Sequence, residues 1–349
     1  MQTDDKLSTV VETWFPRFLA NGLDYLDVRR ILDRVERWED WAPAWSEAAE
    51  EVAALGEEAL AAGRTPTAAE HLRRAALTLQ FAQFVLTDDP EERSRLHARQ
   101  AELYRRAAPH LRPPAEPLRL APFHGYLRRP APEGSSGLVV LLPGLESTKE
   151  QFSTYEPYFL ERGVATLSFE GPGQGETRLA FPYRDEDYGS AVAALAEAIP
   201  RLPGVDPERL VVLGTSFGGY LALRHAGAFG GVRGVVDIAG PFDLRGLDSL
   251  NPVVQDGFVH FTGAADRDEA ERLLADVDLD GRLGPDGPPV LVLHGGRDRV
   301  IPVEHAHRIA AALGPRAHLR LEPEGTHSCN NLYTRIRPVV ADWVAERLR

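Results

Sequence analysis

The chain of 349 residues holds a single cysteine, Cys329. An intrachain disulfide is therefore impossible, and a reducing compartment is expected. No apolar run approaches the ~20 residues of a membrane-spanning helix. The opening residues Met1-Gln2-Thr3-Asp4-Asp5-Lys6 lack the basic-then-apolar order of a signal peptide. Together these absences predict a soluble cytoplasmic protein without a membrane partner. Basic residues are in deficit: 39 Lys and Arg against 52 Asp and Glu leave a formal charge of -13. That balance argues against a nucleic-acid partner, because phosphate recognition needs a basic face. No H-E-x-x-H occurs, and His305-Ala306-His307 lacks a helical i,i+4 partner, so no metal site is expected. The Gly-rich stretch Glu170-Gly171-Pro172-Gly173-Gln174-Gly175-Glu176 has neither a G-K-[ST] ending nor G-x-G-x-x-G spacing before a helix. It reads as a tight loop shaping a pocket, not as a phosphate cradle. No internal repeat is visible.

What is present divides into two halves. Residues 1 to about 112 read as all-helical. Asp24 to Trp38 place Leu26, Ile31, Leu32 and Val35 at helical spacing. Pro43 to Ala62 form an Ala/Glu-rich helix stopped by Gly63. A helix follows from Thr65-Pro66-Thr67, and another from Asp89-Pro90-Glu91-Glu92, with Pro and acids in their first turns. Helices joined by short turns predict an antiparallel bundle. Whether Trp14, Phe15 and Tyr25 line a pocket stays open, with bundle core as the default. Pro109, Pro113, Pro114 and Pro117 mark a boundary, giving a helical domain over 1–117 and a second domain over 118–349.

The second half reads as a mostly parallel sheet. Gly137–Leu142, Val164–Phe169 and Arg209–Leu213 read as continuous apolar strands; Val232–Ile238 and Val290–Leu293 follow, with a weaker strand at Ala317–Leu321 and a hairpin or edge strand within Leu118–Leu127. Helical stretches alternate with them: Gln151–Glu161, Tyr188–Pro200, Gly219–Ala228, Val303–Leu313 and Tyr333–Leu348. This alternation predicts a sheet covered by helices on both faces, with ligands at the carboxyl ends of the strands.

Polar residues follow those strand ends. Gly214-Thr215-Ser216-Phe217-Gly218 fits G-x-S-x-G between a strand and a helix. That context marks Ser216 as a nucleophile on a sharp turn; the alternative is a serine that only caps the helix. Pro143-Gly144-Leu145 follows the first strand, where one oxyanion-hole amide belongs, so Leu145 and Phe217 are the expected backbone donors. An ordinary turn is the alternative there. Glu146 and Lys149 read as a solvated pair. Asp298 follows the fifth strand and is the expected orienting acid, with Asp237 and Asp243 as rivals. His327, in Gly325-Thr326-His327, completes the order Ser, Asp, His. His294, His305, His307 and His318 fit the base less well. The expected chemistry is attack by Ser216 on a carbonyl, with His327 as base, Asp298 fixing its tautomer, and no cofactor or metal required.

The segments Gly144-Leu145-Glu146-Ser147-Thr148-Lys149-Glu150, Glu170 to Glu176, Gly214 to Gly219 and Gly325-Thr326-His327 resemble the α/β-hydrolases with an N-terminal helical domain. The subgroup is that of 2,6-dihydroxypseudooxynicotine hydrolase, related to the FrsA esterases and the fungal pigment chain-shortening hydrolases. In the helical half, Arg17-Phe18, Asn21-Gly22-Leu23-Asp24-Tyr25, Trp38-Glu39-Asp40-Trp41 and Glu102-Leu103-Tyr104-Arg105-Arg106-Ala107 are similar too. The resemblance implies a helical domain that helps wall the active site, a homodimer, and a hydrophobic or aromatic small-molecule substrate. It implies that the carbonyl can belong to a ketone, with a carbon–carbon bond then broken. Esters, thioesters and acyl transfer or cyclisation use the same triad. An additional acid would help carbon–carbon cleavage, and Asp243 and Asp248 are candidates.

Overall fold

The computed structural model describes residues 3–131 and 134–349; Met1-Gln2 of the leader reading lie outside the described residues. The chain forms two compact units, Met1–Glu116 and Pro117–Arg349. The first unit contains five helices: α1 (Thr3–Ala20), α2 (Tyr25–Leu32), α3 (Trp41–Ala61), α4 (Thr65–Ala82) and α5 (Pro90–Ala107). α3 packs on α4 and α4 on α5. Gly56 permits the first approach, since a Cβ there would lie 2.8 Å from the Leu72 side chain. An aromatic core of Phe18, Trp41, Trp45, Phe81 and Phe84 joins the helices, and Trp41 Nε1 donates to the Phe81 carbonyl at 2.8 Å. Trp14 is buried against Phe84, whereas Phe15 is half-buried and Tyr25 is exposed. The helix expected over Asp24–Trp38 stops at Leu32. Beyond it, Asp40 Oδ2 accepts from the Glu36 and Arg37 amides, and Trp38 stacks on Trp41. A local turn therefore replaces helical continuation at this point.

The second unit is built on one eight-stranded sheet. Its strands are β1 (Ala115–Leu120), β2 (Phe123–Arg128), β3 (Ser136–Leu142), β4 (Ala165–Glu170), β5 (Val205–Thr215), β6 (Val232–Ile238), β7 (Val290–Gly295) and β8 (Ala317–Glu322). β1 begins two residues before the unit boundary. The spatial order is β1-β2-β4-β3-β5-β6-β7-β8. β2 pairs antiparallel with β4, and every pair from β4 to β8 is parallel. Alternating side chains serve opposite faces. Val139, Leu141, Val211, Leu213, Val236, Ile238, Leu291 and Leu293 form one buried face, covered by α6 (Glu156–Leu160) and α12 (Tyr333–Arg347) through Phe159, Ile336, Val340 and Val344. Between them in sequence come α7 (Asp185–Ala198), α8 (Phe217–His225), α9 (Pro252–Thr262), α10 (Arg267–Leu273) and α11 (Glu304–Leu313). α8 lies against the other face, where Gly219 meets Asp237.

One expected element of this unit needs correcting. The helix expected over Gln151–Glu161 is a tight turn, Lys149–Thr154, followed by the short α6, which Pro157 opens in its first turn. In the segment after β6, α9 starts at Pro252, capped by Asn251 accepting from the Val253 amide at 2.9 Å.

Candidate active site

Ser216 sits between β5 and α8 with φ 56 and ψ -129. This is left-handed space that a non-glycine residue enters only at a cost. Its neighbours make the turn possible. A Cβ on Gly214 would fall 1.7 Å from the Gly218 carbonyl oxygen, and one on Gly218 would fall 2.1 Å from that of Leu142. The Ser216 amide donates to the Ile238 carbonyl at 2.7 Å, and the Gly219 amide to the Ser216 carbonyl at 2.7 Å. These bonds hold the hydroxyl at the carboxyl end of β5.

Asp298 arrives from the loop after β7 and His327 from the loop after β8. Ser216 Oγ lies 2.9 Å from His327 Nε2, and His327 Nδ1 lies 2.8 Å from Asp298 Oδ2. A carboxylate only accepts, so Nδ1 carries the hydrogen and Nε2 is free to accept from the hydroxyl. His327 opens a short turn in which Ser328 and Cys329 have φ of 52 and 51, and the Thr326 amide is anchored on Asn331 Oδ1 at 2.9 Å. Asp298 divides its oxygens. Oδ1 accepts from the Val300 and Ile301 amides at 2.8 and 2.9 Å, which leaves Oδ2 for His327. Burial pushes the Asp298 carboxyl up, but the charge of His327 and the hydrogen bonds from His294 and His327 outweigh it and hold Asp298 well below the usual carboxylate range. Of the rival acids, Asp237 is buried and accepts from the Gly240 amide. Asp243 is paired with Arg308, and Asp248 is exposed.

The loop bearing Leu145 lies against Ser216: a Cβ on Gly144 would be 3.0 Å from Ser216 Cβ and 3.5 Å from the Phe217 amide nitrogen. Two side chains that sequence reasoning missed tie this loop down. Gln174 Nε2 donates to the Pro143 carbonyl at 2.6 Å, and Arg178 donates to the Leu145 carbonyl. They grip the peptides on either side of the Leu145 amide. Glu146 and Lys149 are not the solvated pair expected from sequence. Both are buried, Glu146 faces Arg178, and Lys149 is ion-paired with Glu150, Glu170 and Glu176. Burial pulls the Lys149 ammonium down, but the three carboxylates outweigh it and raise it well above its ordinary value. Burial pushes the Glu170 carboxyl up to about 7 against the opposing pull of Lys149. The reason is local: the Lys149 amide also donates to Glu170 Oε1 at 2.8 Å, so backbone and side chain are drawn inward together. The Gly-rich loop therefore braces the Leu145 loop.

Residues 139–335 match the alpha/beta hydrolase family, and residues 38–236 match the FrsA-like esterases. The 2,6-dihydropseudooxynicotine hydrolase of Paenarthrobacter nicotinovorans is 34% identical over 342 residues, covering 95% of this chain and 91% of that protein. The chain belongs to the α/β-hydrolase family. Hydrolase LUC6 of a Fusarium species is 34% identical over 226 residues, covering 59% of this chain and 53% of its own. The crystal structure of 2,6-dihydroxy-pseudo-oxynicotine hydrolase superposes with a TM-score of 0.88 at 32% identity, covering 96% of this chain and 95% of that one. The α/β-hydrolase sheet with helices on both faces, and hydrolase activity, follow from these relations. Among the described residues no helix is long and apolar enough to cross a membrane.

Proposed function

We propose that Ser216, His327 and Asp298 are the catalytic triad of a serine hydrolase that cleaves a carbonyl substrate through an acyl-enzyme. The observation that carries this is the Oγ–Nε2–Nδ1–Oδ2 chain at 2.9 and 2.8 Å, based on a serine in left-handed space. Ser216 Oγ attacks the carbonyl carbon while its proton passes to His327 Nε2. The carbonyl oxygen becomes an oxyanion, which the Leu145 and Phe217 amides receive; one such donor is worth about 2.7–4 kcal/mol of barrier. The tetrahedral species collapses, and the leaving group takes the proton from His327. Water then gives its proton to His327, attacks the acyl-serine and releases Ser216.

The substrate class we propose is a hydrophobic or aromatic small molecule of acyl-aromatic or diketone type, cleaved at a carbon–carbon bond. The likeness to a pseudooxynicotine hydrolase over 95% of the chain supports it. Ester cleavage is the second reading, favoured by the match of residues 38–236 to the FrsA-like esterases. The chemistry belongs to residues 118–349, with 1–117 a separate helical domain. We place the enzyme in the cytoplasm as a homodimer, the first supported by the single buried cysteine; light scattering on the purified protein tests the second.

Intact-mass analysis after fluorophosphonate treatment, beside turnover of diketones, aryl ketones, p-nitrophenyl esters and acyl thioesters, tests these readings. Labelling at Ser216 with diketone or aryl-ketone turnover is expected. Turnover of esters alone moves the assignment to an esterase, and absence of both labelling and turnover removes the triad.

A further inference from the structure

Behind the triad acid stands a second imidazole that the mechanism above does not use. His294, near the end of β7, is fully buried. Its Nε2 lies 2.9 Å from the Ile301 carbonyl oxygen and 3.4 Å from Asp298 Oδ2, the oxygen that receives His327. Both partners only accept, so His294 Nε2 carries a hydrogen. Its other nitrogen, Nδ1, is buried without a hydrogen-bond partner among the described residues. The same holds for Asp237 Oδ2, whose sister oxygen accepts from the Gly240 amide at 2.9 Å. The two residues belong together. β6 pairs in parallel with β7, with Asp237 opposite Val292. His294 is two residues further along, so both project from the same face of the sheet. That face is the one under the nucleophile helix, where a Cβ on Gly219 would lie 2.0 Å from Asp237 Oδ1.

We propose that His294 is a positioning residue that holds Asp298 toward His327 from behind, and that Asp237 fixes the His294 ring, extending the triad to Ser216–His327–Asp298–His294–Asp237. The proposal rests on the triad reading. Two buried polar atoms without partners are costly unless they serve each other. No hydrogen bond joins them in the structure, but each feels the other's charge, and a single proton bridging Asp237 and His294 would serve both. It would keep Nε2 a donor and leave no bare carboxylate beside an apolar strand. Burial pushes the Asp237 carboxyl up to about 7, against the pull of the His294 charge and the Gly240 amide. The His294 ring is pulled down by burial but raised overall, chiefly by its hydrogen bond to Asp298. The charged or titratable groups around this ring are Asp298 on the following loop, Asp237 on β6 and His305 on α11, with His327 beyond Asp298.

The consequence is directional. A donor on the back of Oδ2 takes part of the carboxylate's negative charge and fixes its plane. Without that donor, the full charge acts on His327, and the acid limb of activity moves to higher pH. The test compares His294→Leu, which removes the donor, with His294→Gln, whose amide reaches the Nε2 position. Both are measured beside wild type and Ser216→Ala, by kcat and KM across pH, by thermal midpoint and by the rate of fluorophosphonate labelling. His294→Leu is expected to lose about ten- to a hundredfold in kcat, the range for loss of an outer partner that orients an active-site ligand. KM should be nearly unchanged, and the acid limb of kcat/KM should move upward. His294→Gln should recover most of kcat and the wild-type limb. Wild-type kcat and an unmoved limb in a folded His294→Leu would overturn the proposal, as would equal losses in Leu and Gln with an unmoved limb. If His294→Leu does not fold, Asp237→Asn decides: a lowered kcat with a displaced acid limb supports the proposal, and an unchanged profile overturns it. Turnover by Ser216→Ala would instead overturn the triad, whatever the His294 variants do.

Discussion

Asp298→Asn is the substitution for which the structure dictates an outcome opposite to its chemical mildness. Asp298 Oδ1 accepts from the amides of Val300 and Ile301 at 2.8 and 2.9 Å. In the asparagine variant only the carbonyl oxygen can satisfy those donors, so the amide nitrogen must occupy the Oδ2 position. That places an N–H₂ group 2.8 Å from His327 Nδ1. Nδ1 then has to accept, the ring hydrogen moves to Nε2, and Nε2 can no longer take the Ser216 proton. A wrongly fixed tautomer of this kind costs about 10⁴ in kcat, or roughly 5 kcal/mol of barrier. The fold should survive, because both backbone donors keep their acceptor and His294 keeps the Ile301 carbonyl at 2.9 Å. The assay is the single-turnover acylation rate with an activated ester, read beside the thermal midpoint. A folded Asp298→Asn enzyme within about tenfold of wild type would falsify the tautomer argument and return Asp298 to a role as turn cap. Asp298→Ala is the control: it orphans the Val300 and Ile301 amides and should destabilise by about 1–3 kcal/mol per buried donor.

Other expectations follow from single contacts. Ser216→Gly should abolish turnover while raising stability by about 1–3 kcal/mol, since glycine relieves the φ of 56; an unchanged thermal midpoint would show the turn to be unstrained. Arg178→Met, which frees the Leu145 carbonyl, should lower kcat by more than tenfold with a smaller change in KM, up to the roughly 2.7–4 kcal/mol of one oxyanion donor; steady-state kinetics that move only KM would contradict it. Cys329 is buried, and burial pushes its thiol up to about 12, so native protein should resist iodoacetamide at pH 8 and react once denatured, as mass spectrometry will show. Asp237 binds its proton more tightly folded than unfolded, about 7 against 3.8. Its contribution is therefore full below the unfolded value and lost as pH rises through about 7, on the order of 4 kcal/mol at about 1.36 kcal/mol per pH unit. Denaturant midpoints of Asp237→Asn and wild type should diverge in the variant's favour between about pH 4 and 7 and run parallel above that.

How much of this was legible depended on whether a signal was local. Strands β3 to β7 each carry a buried, mostly apolar stretch, such as 138–142 in β3 and 210–213 in β5, and these stretches announce themselves. Ser216 was legible because Gly214 and Gly218 are demanded by backbone clashes within five residues of each other. The end of α2 was not, since the Asp40 carboxylate that stops it acts on amides whose own side chains keep the helical pattern. The outer partners were hidden for a different reason. Arg178 reaches a carbonyl 33 positions away, and Lys149 reaches Glu170 across 21. His294 and Asp237 are 57 apart, and only the β6–β7 register joins them. Lys149 read as solvated because a lysine is buried only where acids surround it, and those acids come from two separate loops. Residues that act are marked by turns; residues that hold them are marked only by the folded sheet.

The acid supply bears on the substrate. Breaking a carbon–carbon bond releases a carbanion, and something must stabilise or protonate it as it forms. Of the acids considered for that task, Asp243 is tied to Arg308, and Asp248 stands exposed in the turn Leu247–Ser249. On the proposed mechanism the proton that Ser216 gives up returns from His327 Nε2, 2.9 Å from Oγ, a geometry that would also serve an alkoxide leaving group. An enzyme with one proton carrier cleaves a carbon–carbon bond only if the substrate stabilises its own leaving group, through a second carbonyl or an electron-rich ring that accepts the proton at carbon. On the proposed mechanism, diketones and acyl-aromatic ketones are expected to be cleaved and simple dialkyl ketones are not, which turnover of the two sets side by side checks. Activated esters, whose alkoxide leaves without that help, are expected to be hydrolysed by the same residues.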